Sequence, residues 1–309
     1  MPAFYRKSKM LRRSRVFWGS FSLWRPRLVF WCGALATGVI SVGFAELSDF
    51  AQHGFNRVIT ASEWSFLLPL LLTPAGFALS AYLAIRFFPN AQGSGIPQAI
   101  ASRHLVDDED RGRLLSLRIA FGKILLTVLG LSFGASIGRE GPTVQVGASI
   151  MLAVARFGDM AQARGLILAG SAAGIAAAFN TPLAGIVFAI EEMGRTYEAR
   201  TNGLVLAAVI ISGLAALGLS GSYHYFGSTS VAPLHMRDWG LVLACGIGGG
   251  ALGAAFSGMA LHFGQMLVPH AQSISAKGDV AIVLEPLDQR LATARIAGHR
   301  MNGVGPLSG

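Results

Sequence analysis

Gly138-Arg139-Glu140-Gly141-Pro142 places an arginine and a carboxylate between two segments too apolar to belong anywhere but a membrane. Charge at that depth is expensive and usually marks function. The flanking glycines free the backbone to bend and to approach a ligand, and Pro142 sits where a new helix would begin. Unpaired N–H groups at such a helix start form an anion site. Three roles stay open for Glu140: a gate that competes with an anion, a proton carrier, or the ion-pair partner of a nearby arginine.

The sequence on either side agrees with a membrane setting. Of 309 residues, 52% are hydrophobic and only 13% charged, with 39 glycines, and the mean hydropathy is +0.53. That balance excludes an ordinary soluble domain and predicts an all-α, multispanning membrane protein. Spans are expected over residues 27–47, 66–88, 114–133, 204–219 and 240–267. Shorter apolar pieces over 144–157, 166–179 and 183–190, separated by Gly- and Pro-containing breaks, predict broken, tilted helices meeting inside the membrane. Irregular backbone survives there only where protein or an aqueous cavity covers it. A polar connection containing His53, Asn56 and Arg57 is expected after the first span. A solvated loop is expected over 104–113, where Asp107, Asp108, Glu109 and Asp110 precede Arg111 and Arg113.

The net charge of +9 does not imply nucleic acid, because Arg6, Lys7, Lys9, Arg12, Arg13, Arg15, Arg25 and Arg27 cluster before the first span. That clustering places the N-terminus in the cytoplasm and also suits anionic lipid headgroups. A cleaved signal peptide fits less well, since the early small-residue match, Ala34-Leu35-Ala36, falls inside the apolar run. Cys32 and Cys245 lie in apolar runs and read as small packing residues, neither disulfide partners nor metal ligands.

Two enzyme-like patterns lack their context. Gly248-Gly249-Gly250-Ala251-Leu252-Gly253 matches a dinucleotide fingerprint but lies within an apolar span, where its glycines suit helix packing. Gly134-Ala135-Ser136-Ile137-Gly138 spells a nucleophile elbow without the strand-turn-helix that exposes a serine. No histidine falls in an H-E-x-x-H arrangement. The chain therefore reads as no enzyme, without cofactor or bound metal.

Gly93-Ser94-Gly95-Ile96-Pro97 is a turn-rich breaker after a span, and alone Ser94 is either a hydroxyl donor to a ligand or part of a tight turn. Glu191 and Glu192 end an apolar helix and alone read as a water boundary. Taken with Gly138-Arg139-Glu140-Gly141-Pro142 and the run from Ala172-Ala173-Gly174 through Asn180-Thr181-Pro182 to Glu191-Glu192-Met193, the breaker resembles the CLC family of chloride channels and chloride/proton exchangers. The resemblance implies the first half of an inverted-repeat membrane fold over residues 28–269, following a basic N-terminal segment, 1–27, and preceding a polar tail, 270–309.

By that resemblance Ser94 donates to chloride, with Gly95, Ile96, Arg139, Glu140 and Gly141 forming the surrounding chloride-binding site. Glu140 is then the gating glutamate and Glu192 the inner proton-transfer glutamate of the exchangers. The glutamate pair implies chloride/proton antiport more than a voltage-gated channel, in a cell membrane and in a homodimer. Departures accompany it. Acids expected after the first motif are Gln98 and Ile100, and the G-x-F-x-P helix start and late tyrosine that complete the family's chloride site are absent. A truncated or frameshifted copy is therefore expected, with an inactive fragment or noncatalytic partner subunit as the alternative.

Overall fold

The computed structural model describes residues 21–62, 65–160, 163–193, 199–221 and 238–275. The chain divides into two compact units, Met1–Ser228 and Thr229–Gly309. In the first unit the described helices are α1 (Phe21–Ile59), α2 (Pro69–Phe87), α3 (Ile96–His104), α4 (Asp108–Leu114), α5 (Leu117–Ser132), α6 (Glu140–Phe157), α7 (Ala163–Ala178), α8 (Pro182–Phe188) and α9 (Ala199–Ser220). The second unit contributes α10 (Asp238–Ser275). The basic residues before 21 and the tail after 275 lie outside the described residues.

Local chemistry sets the helix ends. Prolines begin α2, α3 and α8, where a missing N–H is harmless. Ser116 caps α5 by accepting the Ile119 N–H at 3.3 Å. Beyond α6 and α7 the chain turns at Asp159 (φ +51°) and Asn180 (φ +54°), left-handed conformations that these short polar side chains tolerate.

Helices α6 and α7 form the centre and are buried along almost their whole length. Their backbones touch at Gly147 and Gly170, where a Cβ on either would collide with the other's carbonyl. One turn further along, a Cβ on Gly174 would stand 2.7 Å from the Thr143 carbonyl oxygen. Such small-residue contacts bring membrane helices close enough for dispersion to hold them. Around them pack α1, α5 and α9, and Ser212 on α9 donates to the Ala173 carbonyl at 2.9 Å.

Among the described residues, five segments are long and apolar enough to cross a membrane: Trp24–Ile59, Pro69–Phe87, Asp108–Ser132, Gly203–Ser220 and Trp239–Phe263. Three expectations need correction. The polar stretch with His53, Asn56 and Arg57 continues α1 to Ile59, because its polar side chains point outward and the isolated Gly54 within it is tolerated in a helix. The acidic loop contains α4, held because the buried Arg111 pairs with Asp108 and donates to the Leu105 carbonyl at 2.7 Å. Cys32 and Cys245 are exposed on their helices instead of packed inside.

Candidate functional site

Two helix starts meet where the sequence breaks its apolar runs. Gly93 (φ +73°) and Gly95 (φ +101°) turn the chain from α2 into α3 through backbone conformations that side chains disfavour. At the start of α6, a Cβ on Gly141 would lie 2.5 Å from Ser94 Oγ and 2.8 Å from the Ser94 carbonyl oxygen. Reciprocally, a Cβ on Gly95 would lie 2.9 Å from Gln145 Cβ and 3.0 Å from the Gly141 carbonyl oxygen. Only glycines permit this crossing. It brings the exposed Ser94 hydroxyl against the first turn of α6, at the electropositive end of that helix.

The other expected anion-site residues take distinct places around that crossing. Glu140 is the first residue of α6 and half-buried, and its carboxylate curls back over Gly138, where a Cβ would stand 2.5 Å from Oε2. Ile96 packs its side chain on the apolar core. Arg139 turns toward α1, donating from Nη1 to Asp49 Oδ1 at 2.8 Å and to the Ala45 carbonyl at 3.1 Å. A cleft of about 360 Å³ opens there, lined by Ser48, Asp49, Gln52, Leu131, Ile137, Gly138 and Arg139.

Glu191 and Glu192 lie in one widened π-helical turn, Ala189–Met193, that follows α8. Such turns are frequent at functional sites. Ala189 and Met193 anchor it in the core while both glutamates are exposed, so burial does not distinguish the two.

Behind the Ser94 loop stands a layer in which sequence reasoning singled out Gln98 alone, as a departure from the family pattern. Lys123, 2% exposed, reaches from α5 to donate to the Gly93 carbonyl at 2.8 Å and the Gln92 carbonyl at 3.2 Å. Gln98 donates to the same Gln92 carbonyl at 2.8 Å. Gln145, fully buried on α6, donates to the carbonyls of Leu114 at 3.0 Å and Asn90 at 3.2 Å. A lysine inside a span costs about 2.5–3.5 kcal/mol on insertion scales, and the charge of Lys123, well inside the run 114–133 that it shares with Arg118, was the signal available. Asp49 carried no such mark, since it sits where polar residues already thin the apolar pattern.

This architecture defines the class: a multi-pass, all-α membrane protein whose interrupted helices meet at polar sites inside the fold. The model of the family described as "Voltage gated chloride channel" matches residues 76–284, and the chain belongs to that family. Among its relatives are the H(+)/Cl(-) exchange transporters ClcA of Salmonella paratyphi B and Salmonella newport, each 32% identical over 241 residues, which cover 73% of this chain and 49% of the relative. The chain spans about half the length of the curated relatives it matches. A solved slow cyanobacterial Cl-/H+ antiporter is similar with a TM-score of 0.64 and 28% identity, over 75% of this chain and 55% of that one. A solved CLC-type fluoride/proton antiporter shares the fold alone, with a TM-score of 0.56 and 22% identity over 77% of this chain and 58% of that one.

Proposed function

We propose that this chain takes part in chloride transport across a cell membrane, by exchange with protons, and performs no enzymatic reaction. The observation that carries this reading is the contact of Ser94 with Gly141, which sets a hydroxyl donor and two helix starts beside Glu140. Neutral donors solvate an anion without trapping it. Chloride accepts from Ser94 and from the backbone around Gly95, Ile96, Arg139 and Gly141. Glu140 alternates between occupying that position as a carboxylate and vacating it when protonated, and Glu192 delivers protons from the inner side. Movement of such charge through the membrane potential is worth about 2.3 kcal/mol per elementary charge per 100 mV.

Residues 28–269 form the membrane domain in this reading, the N-terminus faces the cytoplasm, and the transporting unit is a homodimer. The names of the exchange transporters among its relatives support the choice of ions. Reconstitution into chloride-loaded liposomes tests it: chloride efflux coupled to proton uptake is expected, reduced in Ser94→Ala and uncoupled from protons in Glu140→Ala. Chloride efflux unaffected by either substitution overturns the site.

A further inference from the structure

The start of α1 carries basic and aromatic groups that the exchange cycle proposed above does not use. Arg27 and Glu46 are exposed on that helix, and residues 28–45 between them include no charged side chain. At a rise of about 1.5 Å per residue the two are about 28 Å apart, close to the roughly 30 Å of a bilayer's hydrocarbon core. That spacing sets Arg27 at one headgroup level and Glu46 at the other. Leu28, Trp31, Leu35 and Val39 are exposed and recur at helical spacing, so one apolar stripe runs from Arg27 into the membrane.

The head of the stripe is fixed in place. Trp24 and Trp31 meet edge to face, with ring centroids 6.4 Å apart and planes at 72°. The Arg27 guanidinium carbon stands 5.6 Å from the Trp24 ring centroid. Stacking engages the face of a guanidinium, whose N–H donors lie in its plane in a fork that fits phosphate. Arg25, also exposed, donates from Nη2 to the Phe157 carbonyl at 3.0 Å, tying the start of α1 to the end of α6.

We infer that this end of α1 is a binding site for one anionic phospholipid. Arg27, oriented by Trp24, takes the phosphate; Arg25 adds charge beside it, and an acyl chain lies along Leu28, Trp31 and Leu35. A fixed guanidinium at the head of an apolar stripe distinguishes the site from diffuse attraction of a basic segment to an anionic surface, which depends on total charge and on no particular residue. The inference goes beyond the ion-transport reading and does not depend on which ion is carried.

Thermal unfolding of the detergent-purified full chain, titrated with dioctanoyl phosphatidylglycerol or dioctanoyl phosphatidylcholine, provides the test. Phosphatidylglycerol is expected to raise the unfolding temperature saturably and more than phosphatidylcholine, because a ligand of the folded state stabilises it by mass action. Arg27→Gln is expected to raise the half-saturating phosphatidylglycerol concentration about fivefold or more, and Trp24→Leu, which keeps apolar bulk without the ring, about threefold. Arg113→Gln, an equal loss of charge at an exposed arginine of α4, is expected to stay within about twofold. If Arg27→Gln does not fold, Trp24→Leu against Arg113→Gln decides alone. Equal stabilisation by the two lipids, an equal shift with inorganic phosphate, or losses in Arg27→Gln and Trp24→Leu no larger than in Arg113→Gln overturn the inference. None of these outcomes bears on chloride efflux, so the transport reading stands or falls separately on Ser94→Ala and Glu140→Ala.

Discussion

Ser94 and Gly141 lie so close that a single methyl group on the glycine would stand 2.5 Å from the serine hydroxyl oxygen. The contact couples the start of α3 to the start of α6, and nothing larger than hydrogen fits between them. Gly141→Ala is therefore expected to push the Ser94 loop away and weaken chloride binding about tenfold, roughly 1.4 kcal/mol. Titration of the purified variant with chloride checks this, and an unchanged Kd would show that the crossing does not shape the site.

Arg139 is held by Asp49 at 2.8 Å, with the arginine side chain only 13% exposed and the aspartate 53% exposed. An ion pair this close to water contributes at most about 1 kcal/mol to stability. Its larger effect falls on Glu140, the next residue, whose backbone the arginine anchors to α1. Asp49→Asn is expected to leave expression and thermal stability nearly unchanged while altering the chloride efflux rate several-fold in liposomes. A large drop in unfolding temperature with normal flux would make the pair purely structural.

Glu192 and Glu191 share one exposed π-helical turn, so their roles separate only by substitution. Glu192→Val is expected to preserve chloride flux and abolish coupled proton movement, whereas Glu191→Gln changes neither. Simultaneous chloride-electrode and pH-electrode recordings of proteoliposomes measure both fluxes. Proton flux surviving in Glu192→Val sinks the assignment.

Gly147 and Gly170 meet backbone to backbone at the centre of the fold. Alanine at either position forces α6 and α7 apart, and overpacking of this kind costs about 1–3 kcal/mol. Gly43→Ala on α1, where the added carbon meets nothing within 4 Å, is the control; it is expected to be neutral or stabilising by about 0.5–1 kcal/mol. Thermal unfolding in detergent compares the three variants.

Much of the helix pattern was legible because its signals are local. Proline at helix starts and glycine at positive φ near Ser94 act over a few residues, so the breaks before α3 and α8 could be read directly. The end of α1 was not legible, because exposed His53, Asn56 and Arg57 report a polar environment and not a change of backbone. The same ambiguity hid α4, whose buried Arg111 looks like a loop charge until the Leu105 carbonyl is placed beside it.

By itself, the sequence determined the membrane class, the positions of the helix interruptions and which residues carry charge near them, since hydropathy and backbone preference are properties of neighbouring residues. The tertiary structure alone decided which interruptions meet. Nothing local connects Ser94 to Gly141, Arg139 to Asp49, or Lys123 to the carbonyls of Gln92 and Gly93. Those contacts arise from helices drawn together by small residues such as Gly147 and Gly170, and close packing is a property of the whole fold.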